Sequence, residues 1–148
     1  MGGSLEYRIN ELSFNLPDFG WDDRSDYRLR VQASDGTIIT LEISRNHAIA
    51  RDALAARVQS YLETQNRHLR GFELVAHENF QSTEVHGVLT SFRTLTPEGA
   101  VYHEVAYVPL VDVLLVFSVR ASVVHAGACR ELIREAIESL ELRRPEDW

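Results

Sequence analysis

Residues 27–44 read YRLRVQASDGTIITLEIS, and this stretch decides the fold class. Tyr27, Leu29, Val31 and Ala33 fall on one side of a period-two pattern, with Arg28, Arg30 and Gln32 on the other. SDGT at Ser34 to Thr37 follows, and an Asp-Gly pair between alternating runs is a strong hairpin signal. The chain then returns with Ile39, Leu41 and Ile43 on one row and Ile38, Thr40, Glu42 and Ser44 on the other. Two adjacent strands with one greasy row each predict an antiparallel sheet that buries one face.

Downstream the period changes at Ala48. IARDALAARVQSYLETQNRHL carries Leu54, Val58, Leu62 and Leu69 near helical spacing, with Tyr61 beside them and Gly71 as the stop. The spacing predicts a helix of about five turns. Four strands follow, FELVAHENF from Phe72, VHGVLTSFRTL from Val85, AVYHEVAYV from Ala100 and DVLLVFSVRA from Asp112. TPEG at Thr96 to Gly99 predicts a hairpin turn and Pro109 to Val111 a short reversal. AGACRELIREAIESLEL then puts Leu132, Ile133, Ile137 and Leu140 on one helical stripe. Upstream, Tyr7 to Leu16 reads as one strand ended by Pro17, and LPDFGWDDRS as a turn. The order β β β α β β β β α predicts an α+β domain, an antiparallel sheet of about seven strands with two main helices. Whether both helices share one face is left open by the pattern.

The 148 residues fit a single domain over 1–148, with MGGS at 1–4 reading as an added scar and 143–148 as a polar tail. A net charge of −7 argues against nucleic acid as a partner, because phosphate binding needs a basic face. All basic residues are arginines. Cys129 is the sole cysteine, so no intramolecular disulfide forms, as expected of a reducing compartment. The longest apolar run, Val113 to Phe117, falls far short of the ~20 residues that span a bilayer. No leader is visible, and a cytoplasmic location without membrane insertion is expected.

The rows of the sheet carry the functional signal. Val113, Leu115, Phe117 and Val119 form the more apolar row of the last strand and are assigned to the helix side. The opposite face is then expected to hold Ile38, Thr40, Glu42 and Ser44, with Thr90, Phe92 and Thr94. Tyr102, Glu104, Ala106 and Val108 are placed there too, with Leu114, Val116 and Ser118. That face mixes apolar and hydroxyl groups, which suits a partner surface. Coverage by a helix, the tail or a second copy explains it equally well.

Chemical motifs are sparse. His47, His68, His77, His86, His103 and His125 include no pair at metal-ligand spacing, and His77 and His103 are expected on different faces. His125 and Cys129 sit four apart, conceivable as a dyad, though a lone cysteine is more often a small buried hydrophobe. Asp18, Asp22, Asp23 and Asp26 lack calcium-loop spacing and read as a solvated turn with Arg24 as internal partner. No phosphate loop, dinucleotide fingerprint or nucleophile elbow is present. No enzyme, no cofactor and no metal are expected.

The sequence of motifs resembles the DcrB-related domain, and more narrowly the Eag chaperones of type VI secretion. The residues that carry the resemblance are Pro17 with Trp21, Asp23 and Ser25; Ile43-Ser44-Arg45; and Gly71-Phe72, within Leu5 to Leu142. It implies a PsbP-like α/β/α sandwich, a homodimer, and a cytoplasmic chaperone. Such a chaperone shields the apolar N-terminal transmembrane helices of a secreted effector before loading on the spike. It also implies client contacts at Thr40, Glu42, Ser44 and Glu104, on the face reached above. Asp26, Arg28 and Glu42 depart from the family, which is apolar there, so either they pair at the rim or the client is more polar. The rival reading is a small-molecule-binding or enzymatic domain with a pocket between sheet and helix, lined by His77, His86 or His103. A third is a structural subunit packed on its symmetry mate.

Overall fold

The computed structural model describes residues 4–8, 12–17, 22–25, 28–33, 35–81 and 84–143. Strands β1 (Ser4–Arg8) and β2 (Leu12–Pro17) pair as an antiparallel hairpin, so the single first strand expected over Tyr7 to Leu16 is two. β3 (Asp22–Ser25) places Asp22, Asp23 and Ser25 in a short strand against β4 (Arg28–Gln32), where only a turn is expected from the composition. Asp18, Trp21, Asp26 and the tail from residue 144 lie outside the described residues.

The hairpin of β4 and β5 (Ile38–His47) forms as read. Gly36 takes φ 88°, which a side chain disfavours, and the Asp35 carboxylate accepts the Thr37 N–H at 2.9 Å. A short 3₁₀ turn (Arg51–Ala53) leads into α1 (Leu54–His68), which starts later and is shorter than the spacing predicts. Leu54, Val58 and Leu62 are its buried stripe, while Leu69 lies past its end. Gly71 then turns the chain at φ 65° into β6 (Glu73–Gln81). β7 (His86–Thr96) and β8 (Gly99–Pro109) are joined tightly, with Thr96 paired to Gly99. β9 (Val113–Ser122) leads through a second 3₁₀ turn (Val123–His125) to α2 (Ala126–Glu138) and the two-residue β10 (Glu141–Leu142).

The main sheet runs β3-β4-β5-β9-β8-β7-β6, every neighbour antiparallel, and a small sheet runs β1-β2-β10. Directly paired residues share a face. One face presents Leu29, Leu41, Ile43, Val119, Phe117 and Leu115 to Cys129, Leu132, Ile133 and Ala136 of α2. The other presents Val88, Phe92, Val105, Tyr107 and Leu114 to the α1 stripe. Each buried aliphatic in these layers contributes about 2 kcal/mol relative to exposure. The helices therefore lie on opposite faces, giving an α/β/α sandwich of the α+β class.

Candidate functional site

Register sorts the expected partner residues into two groups. Ile38, Thr40, Glu42 and Ser44 of β5 share the α1 face with Thr90 and Phe92 of β7 and Leu114 and Val116 of β9. Tyr102, Glu104, Ala106 and Val108 do not. They pair with Ala121, Val119, Phe117 and Leu115, so they belong to the α2 face and are buried there. Their expected place on the open face is corrected by the β8–β9 connection, which pairs Pro109 with Leu114 and so sets even residues of β8 beside odd residues of β9. Thr40, Thr90, Phe92 and Leu114 are on the expected face but buried, the last two within the layer covered by α1. Val116 is half-buried at the margin of that layer.

α1 covers the β7–β8–β9 side and leaves a strip along β4, β5 and the far end of β9. Ile38 is 37% exposed and Ser44 is exposed, with half-buried Ser118 beside them. At the centre of the strip Glu42 pairs with two arginines, Arg28 Nε at 3.3 Å and Arg120 Nη2 at 3.5 Å. Both arginine side chains are about half exposed, so the pairs add little stability. Arg28 and Glu42, two of the three charges that depart from the family pattern, thus neutralise one another, and Arg120 joins them. Arg30 lies next to Thr40 in register, and β3 sets the acidic residue Asp22 opposite Arg30 on the same face.

His103 borders this strip, paired in register with Arg120. Its ring stacks on Phe92 at 4.6 Å between centroids and shares a 2.9 Å hydrogen bond with Thr94 Oγ1. Burial, then the Arg120 charge, push its pKa down to about 4, so the imidazole is neutral near pH 7. His77 pairs with Thr90 and shares this face with His103, against the expectation of different faces. Among the described residues, no group of three or more His, Cys, Asp or Glu is placed to hold a metal.

The conceivable His125–Cys129 dyad does not form. His125 Nε2 lies 3.0 Å from Asp35 Oδ2, joining the start of α2 to the β4–β5 turn. Cys129 is fully buried, and burial, then the Glu104 charge, push its thiol up to about 12.

Behind the sheet, between α2 and the β6–β7–β8 end, lies a half-open cavity of about 570 Å³. The pocket expected of a small-molecule site is there, but no histidine lines it. Its floor is Ser91 and Glu104, its walls include Phe80, Leu89 and Ile137, and Arg130 and Arg134 of α2 reach its mouth. Glu104 is 3% exposed and accepts a short hydrogen bond from the Tyr102 hydroxyl. Burial raises its pKa against the lowering effect of that bond and of the two arginines. Arg130 Nε in turn donates to the Tyr102 oxygen at 3.3 Å and lies over its ring.

The DcrB family model matches residues 11–139, almost all of the sheet and both helices. The chain belongs to the DcrB family. Solved structures with the same fold include the Pseudomonas aeruginosa protein PA94, described as a putative regulator of unknown function. It is 19% identical with a TM-score of 0.70, over 97% of this chain and 99% of that one. The cyanobacterial PsbP of Synechocystis is 14% identical at a TM-score of 0.64, over 97% and 94% of the two chains. LpqN of Mycobacterium tuberculosis, involved in cell envelope biogenesis, is 10% identical at 0.62, over 97% and 91%. At these identities the likeness establishes the PsbP-like fold alone. No curated protein matches the chain at a significant level. Among the described residues, no helix of this DcrB-family chain is long and apolar enough to cross a membrane.

Proposed function

We propose that this DcrB-family chain is a non-enzymatic adaptor that shields an apolar N-terminal helix of a type VI secretion effector on the strip of sheet beside α1. It would act in the cytoplasm as a homodimer and reach the secretion spike through its client. The observation that carries the reading is the strip itself, where Ile38, Ser44, Val116 and Ser118 surround the Arg28–Glu42–Arg120 cluster. Small hydroxyl residues let a helix backbone approach closely and offer it hydrogen bonds. The Eag-like motifs Ile43-Ser44-Arg45 and Gly71-Phe72 support the same reading. The paired charges favour a client helix with polar side chains at this point, since a wholly apolar one would bury the Arg28–Glu42–Arg120 cluster without added partners.

The test is co-expression with the protein encoded beside it and purification of the complex. Ser44→Trp would obstruct the strip and Val116→Asp would place a charge under the helix. Each is expected to abolish the complex; Ser44→Trp, at an exposed position, should keep the melting temperature, whereas Val116→Asp, at the margin of the α1 core, should lower it. A neighbour with apolar N-terminal helices that still binds both variants at wild-type strength sinks the proposal.

A further inference from the structure

The cavity on the α2 side is not used by the adaptor reading, because the sheet separates it from the open strip. Its volume of about 570 Å³ is that of a small-ligand site. Phe80 can line its wall because Gly87 has no side chain; a Cβ there would stand 2.7 Å from the Phe80 ring. Leu89 and Ile137 continue the apolar lining. An apolar wall of this kind takes an alkyl chain.

The mouth carries two guanidiniums one helical turn apart, Arg130 and Arg134. Arg130 is committed in part to Tyr102, while Arg134 makes no hydrogen bond or ion pair with any described residue. Guanidinium forks match carboxylates. Glu104 is buried on the floor, where its carboxyl accepts the Tyr102 hydroxyl, and so lies apart from a head group held at the mouth. A cationic head would instead meet both arginines. Glu78 and Glu138 lie on the exposed rim, where solvent screens them.

We propose that this cavity binds a single-chain amphipathic carboxylate. Its alkyl chain lies against Phe80, Leu89 and Ile137, and its head group sits between Arg130 and Arg134. The site is independent of the client strip.

Isothermal titration of the full chain with decanoate, below its micellar concentration, tests it, with decanol as the neutral-headed control. Decanoate should bind saturably at one site, and decanol about tenfold more weakly, the difference a charge-assisted pair supplies. Arg134→Gln, an exposed position, should weaken decanoate about tenfold and leave decanol unchanged. Leu89→Trp fills the cavity and should remove both. Ser44→Trp, at an exposed position on the other face, should change neither, which separates this site from the client strip. Absence of saturable decanoate binding overturns the proposal. So does binding that is indifferent to Arg134→Gln, or that is lost in Ser44→Trp.

Discussion

His103 should make the domain acid-sensitive in a defined window. Its pKa is lowered from the ordinary 6.5 to about 4 by burial and by Arg120. The unfolded chain takes up the proton first as pH falls, so the imidazole contributes stability that is complete above pH 6.5. That stability is lost as pH drops toward 4. Worked through linkage, the loss is about 1 kcal/mol at pH 5.5 and about 3 kcal/mol at pH 4. Glu104 runs the other way: its raised pKa favours the folded state at low pH, and that benefit is lost as pH rises through its folded value.

His103→Phe isolates the first effect. A phenyl ring preserves the stacking on Phe92 while removing the titrating group and its bond to Thr94. Glu104 projects from the opposite face of the strand, so its contribution should cancel between the two proteins. Urea unfolding at pH 7.5, 5.5 and 4 gives the difference directly. The wild type should lose about 3 kcal/mol relative to the variant over that range. Equal pH slopes for the two proteins, or a His103 ring resonance titrating near 6.5, would refute the burial argument.

Gly87→Ala should destabilise by at least about 2 kcal/mol, because its Cβ would overlap the Tyr107 carbonyl oxygen; thermal melts check it. Cys129 should resist thiol reagents in the native protein and react fully once the chain is unfolded in guanidinium, since its thiol is buried with a pKa near 12. Glu42→Gln leaves Arg28 and Arg120 without their shared acid. It should change stability by less than about 1 kcal/mol in urea titrations, and raise the salt sensitivity of client binding.

Much of the fold is legible in single strands, and the faces are not. The Asp-Gly turn, the α1 stripe and the four-strand run from β6 to β9 follow from period and turn chemistry alone. β1 and β2 merge in the sequence because nothing between Arg8 and Leu12 interrupts the alternation with Gly or Pro. The two rows of β8 are harder, since Val101, Val105 and Tyr107 are no less apolar than Tyr102, Ala106 and Val108. Hydrophobicity cannot assign such a strand, but turn register can. Once TPEG is read as a tight hairpin with Thr96 opposite Gly99, Phe92 falls opposite His103, and Phe92 and Tyr102 cannot share a face.

Glu104 shows what alternation misses even when register is right. A lone carboxyl in a row reads as solvent-facing, because burying a charge unpaired is costly. Here the residue that bonds it, Tyr102, is two positions away on the same row, and the residue that holds Tyr102, Arg130, arrives from α2. Pairwise deletion should therefore be non-additive. Tyr102→Phe alone leaves Glu104 buried without its donor, while adding Glu104→Gln replaces the carboxyl by a neutral amide and should recover part of the loss. If the double variant instead loses the sum of the two single effects in urea unfolding, the two groups act separately and the cavity floor is not one unit.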